Sequence, residues 1–368
     1  RARADWLVGM NASRALATAS GSANNSIGRV QTPTLAMICA RFKENRNFVS
    51  VPYWQLHITL KQGEAHRLFI HPEHFGDKEA AETAYGRIIP GSAVTITKVE
   101  RGTVFQQAPL LYDLTTLQKD ANTKYGFTAE QTLDITQKLY EKKLVTYPRT
   151  GSRYIPEDVF AEIPKLLAFI SRLSQWSGKV PQKPEPTRRS VDDSKVTDHH
   201  ALLVTGEKPL FLSEDESKVY HLIAGRMIEA FSEKCVKDVT AVTVECSGVV
   251  FSAKGHVVKQ AGWRAVCKEE QEETILPDWK EGELLHLSGC SMTEGKTKPK
   301  PLHTEATLLS AMETAGREIE DEELRQALKD CGIGTPATRA SVIETLFARE
   351  YVTRQKKCLV PTEKGLAL

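Results

Sequence analysis

The sequence contains 368 residues, of which 40% are hydrophobic and 26% are charged, and its formal net charge is +2. That length exceeds what one hydrophobic core usually supports, so we expect two or three domains of ordinary globular composition. No stretch of eighteen apolar residues occurs, which argues against a membrane-spanning helix. The near-neutral charge argues against nucleic-acid binding over the whole surface, but it permits a local basic groove. The seven cysteines include no C-x-x-C pair, which excludes a zinc ribbon within this sequence and indicates reduced thiols.

The first part of the chain predicts helices separated by a polar loop. Residues 1–20 form the first helical stretch, and residues 21–28 are small and polar. Thr32-Pro33 then reads as a helix start with proline in its first turn. Backbone N–H groups at such a start could bind an anion, and an ordinary helix cap is an equally good interpretation. The polar and charged candidates here are Arg1, Asp5, Arg14, Ser26, Gly28, Arg29, Gln31 and Thr32.

Two separate blocks of the sequence are rich in β-forming residues. The first runs from about 48 to 104, with a helix expected near 78–88, and the second runs from 236 to 258. Their similar content of β-forming residues indicates that they could belong to one sheet domain interrupted by a helical block. The histidines of the first block are irregularly spaced, which suits ordinary strand residues better than metal ligands.

Residues 109–233 read as helical again and contain a Tyr147-Pro148-Arg149 element. A helix with a capping-box start at Thr128 leads into it, and a residue before proline is pushed towards an extended backbone. A phenol beside a guanidinium fork suits attack on a phosphodiester, because the fork matches phosphate geometry. The alternative interpretation is a turn tyrosine beside a surface arginine, and this stretch alone favours that alternative.

Further along, two more elements could reach a phosphate. Asp198, His199 and His200 precede an apolar run, and adjacent histidines on an extended chain make a poor metal pair. A second Thr-Pro helix start follows after residue 301 and presents Thr335, Thr338 and Arg339. The tail after it reads as a small hairpin.

Several stretches of the sequence occur together in an order that core packing alone does not explain. They are R-A-R-A-D-W-L-V-G-M-N-A-S-R, G-R-V-Q-T-P-T-L, L-T-T-L-Q, L-Y-E-K-K-L-V-T-Y-P-R-T, D-H-H-A, G-W and G-I-G-T-P-A-T-R-A. In content and order they resemble the type IA DNA topoisomerases, specifically the bacterial topoisomerase III branch, across nearly the whole chain. The resemblance implies an α+β multidomain fold, a toroidal body with helical domains and a β-rich arch.

The resemblance also implies an activity, in which one DNA strand is cut and resealed through a 5′-phosphotyrosine link while another strand passes through, relaxing or decatenating DNA. Tyr147 takes the position of the nucleophile. Arg149 matches the arginine that contacts the scissile phosphate, and His199 matches a histidine that supports cleavage. The residues that match the single-strand groove are Arg1, Asp5, Arg14, Ser26, Gly28, Arg29, Gln31, Thr32, Thr335, Thr338 and Arg339.

The chemistry of a tyrosine nucleophile is consistent with such a cycle. A phenol with a pKa of about 10 needs help to attack, but its phenolate is a competent leaving group. The covalent link therefore keeps the energy of the broken diester, and resealing needs no nucleotide. Single-strand binding requires a basic channel with stacking faces rather than a high overall charge.

One departure from the family concerns the metal site. The family carries an N-terminal Toprim domain whose D-x-D-x-E cluster binds Mg²⁺, and the acidic runs near Asp192 and Glu320 have neither that spacing nor that strand context. We therefore expect a fragment without the Toprim domain, which binds no metal itself and does not relax supercoils alone.

The predicted division has five parts. It places a helical base in 1–49, the arch in 50–108, the tyrosine domain in 109–234, the rest of the arch with a short return to the base in 235–290, and the last part of the base in 291–368. An alternative function is a non-catalytic module that binds single-stranded DNA, and a tyrosine recombinase is a third. We expect a monomer in the bacterial cytoplasm, associated with the nucleoid, with single-stranded DNA as its partner and no membrane. The sequence identifies no helicase partner.

Overall fold

The computed structural model describes residues 2–21, 25–62, 65–89, 91–178, 186–196, 198–267, 273–315 and 332–368. The chain divides into two compact units. The first, here the helical unit, combines Arg1–Asn47, Pro109–Ser232 and Lys300–Leu368, and the second, here the barrel unit, combines Phe48–Ala108 and Glu233–Pro299. Helices and strands are both abundant, which confirms the predicted α+β class. No described helix is both long enough and apolar enough to cross a membrane.

The barrel unit is a closed barrel of six antiparallel strands. The strands follow the order β1-β2-β5-β4-β3-β6 around it. Their bounds are Pro52–Gln62 for β1, Ala65–Ile70 for β2, Ala93–Gln106 for β3, Cys235–Cys246 for β4, Val249–Gln260 for β5 and Leu284–Lys296 for β6. Both predicted β blocks therefore contribute to one sheet, as the sequence indicated. Two short helices belong to this unit, α3 (Lys78–Gly86) and α8 (Arg264–Cys267).

Alternating apolar residues close the barrel around one core. On β1, Leu56, Ile58 and Leu60 are all buried, which is the period of two that directs one side of a strand inwards. The corresponding residues of the other strands and of the segments between them fill the same core: Phe69, Val94, Ile96, Val242, Val244, Phe251, Trp279, Leu285 and Leu287. The strand β6 crosses the predicted boundary at residue 290 and continues to Lys296.

The helical unit is built from helices with well-defined starts. Its helices are α1 (Ala2–Ser20), α2 (Gln31–Arg46), α4 (Leu114–Tyr125), α5 (Ala129–Glu141), α6 (Glu157–Ser171), α7 (Glu214–Phe231), α9 (Glu305–Thr314), α10 (Pro336–Ala348) and α11 (Glu363–Ala367). The predicted capping box at Thr128 is present, and Asp113 and Ser213 start α4 and α7 in the same way. The predicted hairpin in the tail is also present, as β7 (Val352–Gln355) and β8 (Cys358–Pro361).

One core joins the three chain segments of the helical unit. It brings Leu35 and Ile38 of α2 together with α9, α10 and the hairpin, whose buried members include Leu308, Leu309, Met312, Ile343, Leu346 and Tyr351. Ala129 at the start of α5 packs in the same cluster. The segments that the sequence assigned to a base and to a tyrosine domain thus lie in one compact unit, and the separation between them stays a prediction.

Candidate active site

Tyr147 lies on an extended segment beyond the end of α5. The sequence placed the end of that helix at Tyr147-Pro148, but α5 already ends at Glu141. The reason is Lys143, whose φ of 60° is incompatible with a continuing helix and whose N–H donates to the Tyr140 carbonyl over 2.8 Å. The segment that carries the tyrosine is therefore free to pair with another part of the chain.

The partner of this segment is the stretch that contains the two histidines. Val145 pairs with Val204 in an antiparallel bridge, and the Thr146 N–H donates to the Leu203 carbonyl over 2.9 Å. At the other end, the Thr150 hydroxyl donates to the His199 carbonyl over 2.8 Å. These bonds fix two distant elements side by side, so that Tyr147 and His199 become neighbours.

Three rings meet at the tyrosine. The Tyr147 and His199 ring centroids lie 4.5 Å apart with the planes tilted by 49°, and the Tyr140 ring approaches Tyr147 edge-on at 5.4 Å. Tyr147 is half-buried and His199 is exposed. Neither the Tyr147 hydroxyl nor the His199 ring forms a hydrogen bond with another residue that the structure describes. The phenol is thus held by ring contacts while its oxygen stays available.

The two adjacent histidines have different surroundings. The His200 Nδ1 lies 2.7 Å from the Ala201 carbonyl oxygen, and its ring is half-buried. The first histidine of the pair, which the sequence selected, is the one whose ring contacts Tyr147. The carbonyl of Ala201 therefore orients His200, while His199 is left to face the tyrosine.

Arg149 is exposed and contacts the start of α10. Its Nη1 donates to the Ala337 carbonyl over 3.3 Å. Close by, a Cβ added at Gly151 would lie only 3.2 Å from the Pro336 ring. The second Thr-Pro element is therefore packed directly against the Tyr147–Gly151 segment, although nothing in the local sequence links them.

The residues of that second Thr-Pro element have different exposures. Thr338 is exposed, its hydroxyl accepts from the Thr335 N–H at 3.0 Å, and the two hydroxyls lie 2.9 Å apart. Arg339 is only 4% exposed. Its guanidinium donates to the Ile333 carbonyl and the Thr115 hydroxyl, both over 3.1 Å, and approaches Glu313 at 3.5 Å. Burial lowers the pKa of Arg339, and the nearby Glu313 and Asp113 carboxylates oppose that shift.

The first Thr-Pro element lies beside the second. A Cβ added at Gly334 would lie 3.2 Å from Val30 Cγ1, which puts the turn before α2 in contact with the loop before α10. Within that turn, the Gly28 N–H donates to the Thr32 hydroxyl over 3.0 Å. The Ser26 N–H donates to the Tyr351 hydroxyl over 2.8 Å, and Gln31 Nε2 reaches the Ser26 hydroxyl at 3.4 Å.

The remaining predicted contact residues lie on or near α1. Arg14 is exposed on this helix, and Arg29 is exposed in the turn before α2. The hydroxyl of Ser13 accepts from the Ile27 N–H over 2.9 Å, which ties α1 to that turn. Arg1 and the side chain of Asp5 lie outside the described residues.

The start of α4 supports the site in a way that sequence reasoning missed. The Leu114 N–H donates to the Thr150 carbonyl over 3.1 Å, and the Thr115 hydroxyl accepts from Arg339. Asp113 caps the helix by accepting from the Thr116 N–H over 2.7 Å, and burial raises the pKa of its carboxyl. The L-T-T-L-Q stretch thus holds both the tyrosine segment and the first turn of α10. Its only local signal was an Asp-x-x-Thr helix start.

The described residues contain no group of three or more His, Cys, Asp or Glu side chains that could hold a metal ion. The resemblance implies Mg²⁺, and these residues offer no set of ligands that fits the ion.

Comparison with known proteins identifies relatives along the whole chain. The family described as "DNA topoisomerase" matches residues 1–368. A relative named DNA topoisomerase 3 from Shouchella clausii is 38% identical over 97% of this chain and 51% of its own length. Its namesakes from Bacillus licheniformis and Salmonella typhimurium are 37% and 36% identical over 100% of this chain, and 53% and 61% of their own lengths are covered. The chain therefore spans about half, or somewhat more, of the relatives that it matches.

A solved structure shares the fold. It is that of full-length topoisomerase I from Thermotoga maritima, with a TM-score of 0.71 and 24% identity over 92% of this chain and 54% of that one.

Proposed function

Because the chain belongs to the type IA DNA topoisomerase family, in its bacterial topoisomerase III branch, we propose that it is the strand-cleaving body of such an enzyme, with Tyr147 as its nucleophile. The observation that carries the proposal is the contact between the Tyr147 and His199 rings, with Arg149, two residues along the same segment, bonded to the start of α10. A half-buried phenol with an unengaged hydroxyl, an imidazole ring against it and an exposed guanidinium are the groups that phosphoryl transfer to tyrosine needs.

The proposed cleavage step is a transesterification. The Tyr147 oxygen forms a bond to phosphorus, the bond from phosphorus to the 3′ oxygen breaks, and the phenol proton ends on the released 3′ hydroxyl. The 5′ end stays on the tyrosine, and the reverse step reseals the strand. Because one ester replaces another, no nucleotide is consumed.

Two side chains would assist this step. Arg149 uses one nitrogen on the Ala337 carbonyl, and its other nitrogens could meet the charge on the non-bridging phosphate oxygens. The His199 ring stands 4.5 Å from the Tyr147 ring and could donate to the same phosphate or relay the phenol proton.

The proposed single-strand groove runs over the two Thr-Pro starts and α1. Its candidate contacts are the exposed Arg14, Arg29 and Thr338 and the backbone of the Ser26–Thr32 turn. Arg339 is buried and would instead act as a positioning residue, because its side chain bonds to Ile333 and Thr115. Groups of this kind bind a phosphate backbone without reading its bases. The substrate would be single-stranded DNA bound by one copy of the chain, in the compartment that holds the nucleoid, and Mg²⁺ would be supplied by a part of the enzyme outside this chain.

A chimeric protein tests the proposal. This chain replaces the matching half of the Shouchella clausii relative, and the product is incubated with a 5′-labelled and a 3′-labelled single-stranded oligonucleotide and Mg²⁺. We expect a protein–DNA adduct that survives denaturation and in which the cut strand is bonded to the protein through its 5′ end. Tyr147→Phe should abolish the adduct and leave oligonucleotide binding unchanged, and Arg149→Ala should slow adduct formation about 100-fold or more.

Two outcomes would contradict the proposal. If the folded chimera binds the oligonucleotide but forms no adduct, the chain is a single-strand-binding module. If the adduct forms equally well with Tyr147→Phe, another residue is the nucleophile. Arg349→Ala, which changes an exposed arginine at the far end of α10, serves as the matched control.

A further inference from the structure

A second concave site lies in the helical unit and shares no residue with the candidate active site. It is a cavity of about 710 Å³ between the end of α6, the turn after it and the start of α7. Its lining includes Phe169, Arg172, Leu173, Lys208, Leu212 and Tyr220. A volume of this size falls in the range of pockets that hold drug-sized molecules or a few side chains.

The floor of the cavity contains a polar group without a partner. Tyr220 of α7 is fully buried, and its hydroxyl has no hydrogen-bond partner among the residues that the structure describes. Burial raises the pKa of Tyr220 to about 12, so this hydroxyl stays protonated and can donate. A buried donor without an acceptor costs free energy, so the protein's own described residues leave the floor of the cavity incompletely satisfied.

The rim of the cavity carries two cations. Arg172 and Lys208 are both exposed, and neither forms an ion pair with another described residue. The lining contains no carboxylate. His221 also lines the cavity, but burial lowers its pKa, so the positive charge at neutral pH comes from the arginine and the lysine.

An exposed apolar tip, formed by Leu210 and Phe211, lies beside the cavity. Leu210 is 63% exposed and Phe211 is 96% exposed, and both lie on the short segment that leads into α7. Phe211 has a φ of 55°, a left-handed backbone that bulky residues rarely adopt. Strained backbone at an exposed aromatic residue is typical of ligand-binding segments, because the surrounding structure must hold it there. A large apolar side chain in water is also typical of protein interaction sites.

We propose that this cavity and the Leu210–Phe211 tip bind a peptide segment of a partner protein, one that carries a carboxylate next to a bulky apolar side chain. The carboxylate would lie between Arg172 and Lys208, and the apolar side chain would enter the cavity. The exposed tip extends the surface beyond the cavity, which suits a peptide better than a small molecule. This site is independent of the cleavage chemistry.

Peptide selection with the full chain tests the proposal. The probe is a pool of octapeptides with one glutamate beside two randomised apolar positions, and the matched pools carry glutamine instead of glutamate or serine instead of the apolar residues. We expect enrichment of the first pool only. A fluorescein-labelled member should then show saturable binding by fluorescence anisotropy, weakened at least tenfold by Arg172→Glu or Lys208→Glu.

The controls separate this site from non-specific attraction. Lys165→Glu makes the same charge change at an exposed position of α6 outside the cavity, and it should leave peptide affinity within twofold. Phe211→Ser, which lies outside the packed core, should weaken binding without lowering the midpoint of thermal unfolding. The proposal is overturned if the glutamate pool is not enriched over the matched pools, or if the rim variants bind peptide normally. It is equally overturned if a labelled oligothymidylate, rather than the peptide, loses affinity in Arg172→Glu and Lys208→Glu.

Discussion

The Thr150 hydroxyl donates to the His199 carbonyl over 2.8 Å, and this bond closes the antiparallel pair that brings the His199 ring to Tyr147. Thr150 is only 1% exposed, and its hydroxyl also accepts from the Ser152 N–H over 3.1 Å. One small side chain therefore connects the segment of the tyrosine with that of the histidine.

Replacing Thr150 should separate catalytic geometry from stability. Thr150→Val keeps the shape but leaves the His199 carbonyl and the Ser152 N–H without this partner, so we expect a loss of about 1–3 kcal/mol in the free energy of unfolding. In the chimeric enzyme, adduct formation should slow more than tenfold at saturating oligonucleotide, and Thr150→Ser should restore it. The rate of adduct formation is measured by quenching the reaction at a series of times, and the free energy of unfolding is measured by urea unfolding. An unchanged adduct rate in a folded Thr150→Val protein would show that this bond does not position His199.

Arg339 should matter for stability far more than Arg349, an exposed arginine just beyond the end of the same helix. Arg339→Met leaves the Ile333 carbonyl and the Thr115 hydroxyl without their donor, and it leaves Glu313 with Lys119 as its cationic partner. We expect it to cost about 3 kcal/mol. Arg349→Met, at an exposed position after α10, should change stability by less than about 0.5 kcal/mol. Urea unfolding of both variants gives the comparison. Equal effects would contradict the structural role of Arg339.

His303 should make the helical unit sensitive to acid. It is 5% exposed, and burial lowers its pKa to about 4, with Arg41 as a further cause. The unfolded chain binds a proton at its ordinary pKa of about 6.5, so between pH 6.5 and 4 the unfolded state holds more protons than the folded one. Stability is therefore highest above pH 6.5 and falls as the pH drops towards 4, by at most about 3 kcal/mol from this residue.

The histidine contribution can be isolated by substitution. His303→Gln should flatten the dependence of the unfolding free energy on pH in that window relative to the unaltered chain. Unfolding curves at intervals of half a pH unit provide the test. An identical slope in His303→Gln and the unaltered chain would refute the assignment.

Gly295 of β6 should tolerate no side chain. It pairs directly with Tyr53 of β1, and an added Cβ would lie 2.4 Å from the Tyr53 ring, which in turn stacks on His74 at 4.0 Å. Gly295→Ala should therefore destabilise the barrel unit by about 1–3 kcal/mol. On the same strand, an added Cβ at Gly289 meets nothing within 4 Å. Gly289→Ala is the matched control for thermal unfolding, and a larger effect at Gly289 would contradict the packing described.

The sequence predicted elements well where a local signal decides the outcome. The capping box at Thr128, the Lys78 helix and the tail hairpin are all present. It missed the strand β6 altogether, because only Leu285 and Leu287 of that strand are buried and most of its other residues are polar or small. The pairing with β1 determines that strand, and pairing partners far along the chain leave no local signal.

In the candidate site, too, local signals predicted the residue types but not the contacts between them. The residue types and the order of the motifs indicated Tyr147, Arg149 and His199, but the contact between Tyr147 and His199 depends on long-range bonds such as that from Thr150 to His199. The burial of Arg339 was also beyond local reasoning, since its partners Thr115 and Glu313 come from α4 and from α9. A motif can identify a residue without indicating whether its side chain is exposed to a ligand or buried in structural contacts.

The order of strands in the barrel also bears on how the chain is made. Strands β1 to β3 leave the ribosome before the helical residues 109–232, and their partners β4 to β6 follow only afterwards. At ordinary rates of synthesis the edge of β3 that pairs with β4 stays open for roughly ten seconds, long enough for an unpaired edge to meet other nascent chains. In the finished barrel Gln106 and Cys235 are paired neighbours, so the helical insertion leaves and returns at one place. Its early folding would bring the two strand ends together and shorten that exposure.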